Sequence, residues 1–315
     1  MARCRWIAAL ALASMCAATA AAAAAAESVP PPLELVVLGS GGPGATGRAS
    51  SSYLLIVDSV PRILIDAGSG SFVTLGKTGL SLAATDLVLL THLHIDHVGE
   101  LPGLFKARAV SSSAPITFNV WGPGGSKASP AGAYFPSTAS FLDRLFGPRG
   151  AFAYLRDFAA PITLVPHELP AAEGDREAAH VIFQDRGLEI RAITGHHGDA
   201  PAVIYRVDHA GRSVTFSGDI DAQGLPHLLQ IAHDSDLLVF NTVVLDPPGS
   251  PAILYTLHSP PRAIGTLAGA AHVHRLLLSH LSPATNGDRA AVTASIRRAY
   301  SGPIDFAEDG MRLRP

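Results

Sequence analysis

Hydrophobic positions along the chain fall into short runs. Leu33–Leu38, Tyr53–Val57, Ile63–Ile65, Leu87–Leu90, Ile116–Val120 and Ile162–Val165 make a first set, and most of them stop at Gly, Asp or Pro. Runs this short cannot support a helix and read as strands. Val181–Phe183, Leu188–Ile193, Ala202–Val207, Ser213–Phe216, Leu237–Phe240 and Arg275–Leu278 make a second set. Helical patterns are fewer. Ser137–Phe146 opens on Ser137 as N-cap and carries Phe141, Leu142, Leu145 and Phe146 on one face. Ser259-Pro260-Pro261 opens a helix to about Ala271, and Asp288–Ala299 is a third. Strand-rich halves in succession predict an α/β protein with two sheets face to face and helices outside. The Gly/Pro/Ser-rich stretch 122–136 predicts a surface loop leading into a helical insert, 137–158.

The first 26 residues follow a different pattern. Arg3 and Arg5 precede an apolar run from Trp6 to Cys16, and an alanine tract follows to Ala26. This is the layout of a cleavable signal peptide, so 27–315 is the expected mature domain, periplasmic or secreted. The run is too short to span a bilayer, which takes about 20 residues, and no integral membrane segment is expected. Two of the 23 Lys+Arg lie in the signal, leaving 21 against 26 Asp+Glu. An acidic balance offers no basic face for a polyanion, so no long nucleic acid is expected as a partner. Both cysteines, Cys4 and Cys16, also fall in the signal, which excludes disulfides and thiolate ligands from the mature part.

All fourteen histidines lie after residue 26, and they are not evenly spread. Thr91-His92-Leu93-His94-Ile95-Asp96-His97 follows the run Leu87–Leu90. Three imidazoles and a carboxylate this close have no packing purpose, and they are good donors for zinc-like cations. In an extended start His92 and His94 point the same way, and the turn into a helix near Gly99 aims Asp96 and His97 at a second point nearby. That suits two adjacent metals. Thr194-Gly195-His196-His197-Gly198, Ser217-Gly218-Asp219 and His280 each come directly after a predicted strand, where loops of one sheet edge converge.

In this order the set resembles the metallo-β-lactamase superfamily, and within it the ribonuclease Z/arylsulfatase-like, phosphodiesterase-like branch. The resemblance covers nearly all of 33–315. Leu35–Pro43 is similar to the opening strand and turn, Leu64-Ile65-Asp66-Ala67-Gly68 to the first motif, and His92, His94, Asp96 and His97 to the second. His197-Gly198-Asp199-Ala200-Pro201-Ala202 is similar to the third, which favours His197 over His196. Phe216-Ser217-Gly218-Asp219 and Leu278-Ser279-His280-Leu281 are similar to the fourth and last. The resemblance implies a four-layer αββα sandwich and two divalent metal ions, zinc first, with manganese or iron(II) as alternatives. It implies that His92, His94 and His197 hold one ion, that Asp96, His97 and His280 hold the other, and that Asp219 joins them. Asp66 would be a buried carboxylate orienting the metal loop. His258-Ser259-Pro260 resembles a further motif of the phosphodiesterase-like branch, so Asp96 and His258 are the expected catalytic residues, His258 as a cation assisting the leaving oxygen.

The expected function is an exported binuclear-metal hydrolase that directs a metal-activated hydroxide at a small anionic ester, a phosphodiester or a sulfate ester. A lactonase or β-lactam hydrolase of the same fold, and a non-catalytic metal- or ligand-binding module, are the alternatives. Relatives of the branch are often dimers, which leaves a homodimer open. Gly39-Ser40-Gly41-Gly42-Pro43-Gly44 fits a dinucleotide fingerprint but leads into another strand instead of the required helix. Asp221 is expected to cap the next helix. His167, His180, His209, His227, His233, His272 and His274 are expected at surface or helix positions. Phe141, Phe146, Phe152 and Phe158 are expected to pack the insert rather than stack bases.

Overall fold

The structure is a computed structural model in which residues 30–44, 46–126, 135–169 and 178–315 are described. The signal segment expected at 1–26 lies outside them. The predicted strands are present with shifted ends. The first set gives β1 (Leu33–Gly39), β2 (Ser52–Val57), β3 (Val60–Ile65), β4 (Leu87–Leu89), β5 (Ile116–Pro123) and β6 (Ile162–Leu169). The second gives β7 (His180–Asp185), β8 (Leu188–Thr194), β9 (Val203–His209), β10 (Arg212–Phe216), β11 (Leu237–Asn241) and β12 (Arg275–Ser279). Two strands have no apolar run to announce them: β13 (Ile304–Phe306) and β14 (Arg312–Leu313).

Among the described residues the strands form two seven-stranded sheets, β14-β1-β2-β3-β4-β5-β6 and β13-β12-β11-β10-β9-β8-β7. Each sheet is antiparallel on one side and parallel on the other: β3 to β6 run parallel in the first, β10 to β13 in the second. The strands read as unbroken apolar runs because both faces are covered. In β1, Leu35 and Val37 face the other sheet, where Ile190, Tyr205, Phe216 and Val239 meet them. Their neighbours Val36 and Leu38 face outward onto Leu101, Leu104 and Phe105 of the helix Leu101–Val110. The outer face of the second sheet packs on Leu228, Ile264, Leu267 and Ile296. The result is four layers, helix–sheet–sheet–helix.

The insert 137–158 forms the helix Thr138–Phe146, capped by Ser137, whose hydroxyl accepts from the Ser140 amide, and a single 3-10 turn at Ala153–Arg156. Leu142, Phe146 and Leu155 bury their side chains against the same outer cluster as Phe105 and Phe118, with Phe141 and Phe152 partly buried beside them, whereas Phe158 is 38% exposed and meets Tyr154 and Lys106 at the surface. The helix expected near Gly99 begins earlier. Ile95–Val98 is already helical, and Leu101–Val110 follows it.

Directly after β3, Gly68 shows why the first motif ends in glycine. A Cβ there would lie 2.2 Å from the Asp96 carbonyl oxygen and 2.6 Å from the Ser50 carbonyl carbon, both backbone atoms that cannot swing aside. Gly68→Ala is therefore expected to destabilise the protein by about 1–3 kcal/mol, the usual cost of overpacking. It should also displace Asp96. A fall in urea midpoint together with a weaker metal affinity is the expected reading, and an unchanged midpoint counts against it.

Candidate metal centre

The parallel strands carry their C-terminal ends to one edge of the sandwich, where chemistry collects in open α/β sheets. Asp66 follows β3, the 91–97 segment follows β4, and Asp219 follows β10. Asn241 ends β11, and His280 follows β12. Strand β8 runs antiparallel to β9, which runs antiparallel to β10, so the His196-His197 turn arrives at the same edge.

Asp219 is the geometric centre. Its Oδ2 lies 3.9 Å from His92 Nε2, 3.6 Å from His97 Nε2, 3.8 Å from His197 Nε2 and 3.6 Å from His280 Nε2. His258 Nδ1 is 3.9 Å away. Candidate donor atoms group as His92/His94/His197, His92/His97/Asp219, Asp96/His97/His280 and His197/Asp219/His258, each group within 4.8 Å. The first and third are the two triads that the sequence resemblance implies. All the sequence-predicted residues are thus brought together. His92, His97, His197, Asp219, His258 and His280 are buried, whereas His94 and Asp96 are partly exposed and Ile95 is 77% exposed, so the centre opens to solvent on that side.

Buried polar atoms normally find a partner. Here His92 Nε2, His97 Nε2 and His258 Nδ1 are buried without a hydrogen bond, and all three face Asp219. The opposite edges of three of the rings are tied down. His97 Nδ1 meets Asp66 Oδ2 at 2.8 Å, His197 Nδ1 meets the Leu257 carbonyl at 2.7 Å, and His92 Nδ1 lies 3.2 Å from the Thr91 hydroxyl. Rings fixed on one side with open nitrogens on the other are the arrangement of metal-binding imidazoles. The residues therefore fit the divalent ions that such a set would take.

The electrostatics agree at His92 and His94. Burial holds His92 well below the usual imidazole range, and it also lowers His94. Neutral imidazole is the ligand form. Burial alone would raise Asp219, but the neighbouring His280 and His97 keep it well below the usual carboxylate range. His258 departs from expectation. Burial pushes it down to about 4, so it is a neutral imidazole at pH 7 and not the cation inferred from the sequence.

Other expectations need correction. Asp221 caps no helix: the helix Leu225–Ile231 takes Gly224 as N-cap, and Asp221 instead receives His196 Nδ1 at 2.7 Å. His209 is buried, not a surface residue, and its Nε2 pairs with Asp58 across the sheets at 2.9 Å. His167 stacks on Trp121 with ring centroids 4.5 Å apart. Gly39–Gly44 leads into β2, as its serines suggest, and Gly41 bridges Ser50 and Leu281 beside His280. One residue was missed altogether. Buried Asn241 donates from Nδ2 to Asp219 Oδ1 at 2.8 Å, which turns Oδ2 toward the imidazoles. A polar residue closing an apolar run, like Asp66 after Ile65, was the available signal.

With this geometry in place, comparison with known proteins is direct. The profile of the metallo-beta-lactamase superfamily matches residues 45–249, and the chain belongs to that superfamily. Within it the chain is ribonuclease Z-like. It is 27% identical over 292 residues to ribonuclease Z of Mycobacterium avium (strain 104), covering 90% of this chain and 98% of the relative. It is 29% identical over 297 residues to ribonuclease Z of Mycobacterium sp. (strain KMS), covering 89% and 95%. In fold it is similar to human tRNase Z, short form, with a TM-score of 0.66 at 22% identity, covering 90% of this chain and 99% of the other. The protein is accordingly a metal-dependent hydrolase of this superfamily.

These relatives overturn the expectation of a small ester and no long nucleic acid, because proteins aligned over nearly the whole chain are ribonucleases. Net charge misleads here because it averages over the entire surface. A nuclease centre meets its phosphate at one edge, where bound cations supply positive charge that no residue count includes. Among the described residues, no helix is long and apolar enough to cross a membrane.

Proposed function

We propose that this protein is a divalent-metal phosphodiester hydrolase whose substrates include RNA. The observation that carries the reading is the single carboxylate oxygen of Asp219, set 3.6 to 3.9 Å from five imidazole nitrogens at an edge open to solvent. The name shared by its relatives supports the phosphodiester. In this reading His92, His94 and His197 would hold one ion, Asp96, His97 and His280 would hold a second, and Asp219 would serve both. Zinc is the first candidate for such donors. Divalent ions held there would supply Lewis acidity, lowering the pKa of water and offsetting charge on the phosphoryl group.

The chain's own residues do the rest. Asp66 accepts from the Thr91 amide and hydroxyl, both at 2.8 Å, while holding His97 Nδ1, so one buried carboxylate orients the whole 91–97 segment. Asp96 Oδ2 is 3.1 Å from His280 Nε2, which ties the second triad together. His258, neutral and adjacent to Asp219, acts as a hydrogen-bond donor to the phosphoryl or leaving oxygen rather than as a resident cation. We also propose export, on the strength of Arg3, Arg5 and the apolar and alanine tracts after them. An intact N-terminus on protein recovered from the producing cell would refute it.

The test is a substrate panel with and without chelator: bis(p-nitrophenyl) phosphate, a structured RNA with a 3′ extension, p-nitrophenyl sulfate, a lactone and a chromogenic β-lactam. Hydrolysis of both phosphodiesters, abolished by chelation and restored by zinc or manganese, is expected. Undiminished turnover after chelation, or turnover confined to the lactone or β-lactam, overturns the reading.

A further inference from the structure

Two imidazoles stand side by side in the His196-His197 turn, and only one of them faces Asp219. His197 is buried, with its Nε2 3.8 Å from Asp219 Oδ2. The His196 side chain is 37% exposed and turned the other way. Adjacent residues on a tight turn are easily exchanged by a slip of one position, because successive side chains point to opposite sides. Something must set which histidine faces inward.

We propose that Asp221 is the positioning residue that sets this choice and thereby determines the occupancy of the His92/His94/His197 metal position. The inference rests on the ligand assignment proposed above. Asp221 is 4% exposed, deep beneath the turn. Its Oδ2 receives His196 Nδ1 at 2.7 Å and the Gly198 amide at 3.3 Å, so it grips the chain on both sides of His197. Its Oδ1 receives the Gln223 amide at 2.8 Å, and its own amide donates to the His196 carbonyl at 2.9 Å. Asp221 therefore joins the turn that presents His197 to the loop that presents Asp219.

The turn needs such a hold. Gly198 sits at φ +55° in the left-handed region, and a Cβ there would lie 2.7 Å from Leu257 Cδ2. Besides Asp221, the ties are the His197–Leu257 carbonyl contact, a one-residue bridge between His197 and Ala200, and at the base of the turn the Gly195 amide on the Ala202 carbonyl at 2.8 Å, none of which engages the His196 side chain. Asp219, in contrast, is independently fixed by Asn241. Loss of the Asp221 carboxylate should therefore release His197 and leave Asp219, His97 and His280 in place.

The experiment is zinc and cobalt titration of the chelated, refilled full chain, following stoichiometry and cobalt absorption. The wild type is expected to bind two equivalents. Asp221→Ala should bind one as tightly as the wild type and the other at least about 10-fold more weakly, the scale for loss of a group supporting a ligand. Its residual cobalt spectrum should match that of His197→Ala and differ from that of His280→Ala. His196→Ala, which keeps the Gly198 contact, should weaken the same equivalent by less. If Asp221→Ala does not fold, Asp221→Asn, of the same shape without the charge, carries the test with the same expected selectivity. Two equivalents bound as tightly as in the wild type, or both weakened together, overturns the role of Asp221 alone. A wild type that binds no metal overturns the ligand assignment as well.

Discussion

Asp219→Asn is expected to lose at least about 10²- to 10³-fold in turnover, the scale for removing a preorganised charge from an active centre. The reason is directional as well as electrostatic. Asn241 donates to Oδ1 and so requires an acceptor on that side. The amide introduced at 219 must place its oxygen toward Asn241, which leaves its NH₂ where Oδ2 now faces five imidazole nitrogens. A donor at that point cannot bind a cation. Metal stoichiometry should fall in step with rate, and full zinc content with near-normal rate would contradict the central place given to this carboxylate. Asn241→Ala should do less, since it frees the carboxylate without removing it.

The second large effect concerns stability and its dependence on pH. Burial alone would lower His97, yet the carboxylates of Asp66 and Asp219 hold it well above the usual imidazole range. A group raised on folding contributes stability that is fully present below its unfolded value, about 6.5, and is lost as pH rises through the folded value. In the chelated protein, Asp66→Asn should remove part of that contribution. The difference in urea midpoint between wild type and variant should be largest between about pH 4 and 6.5 and shrink toward alkaline pH. At its largest the corresponding difference in unfolding free energy should reach about 3–5 kcal/mol, the cost of breaking a buried pair. A gap that widens with rising pH would assign the wrong partner to His97.

Much of this architecture was legible because the strands are covered on both faces. That makes each a bare apolar run such as Leu33–Leu38, which no surface helix would show. The ligands were legible for the complementary reason. His92, Asp219 and His280 are costly polar residues placed immediately after such runs. The sequence was silent where that contrast vanishes. β13 and β14 are short, partly exposed and interrupted by Asp305 and Arg312, so no run marks them. Asp221 looks like a cap because its actual partner, His196, lies 25 residues earlier. The protonation of His258 depends on burial by distant segments, which spacing cannot report. Total charge gives no sign of the likeness to ribonuclease Z.

The distance along the chain between partners at the centre has a kinetic consequence. Asp96 and His280 touch across 184 positions of sequence. Neither triad exists until both sheets have formed and docked, and contacts of such long range are slow to make. A nascent or partly collapsed chain therefore offers isolated histidines but no cage, and it should not sequester ions with native affinity. Native-affinity uptake at either position then serves as a clock for the final docking step, readable by rapid mixing with a chromophoric ion.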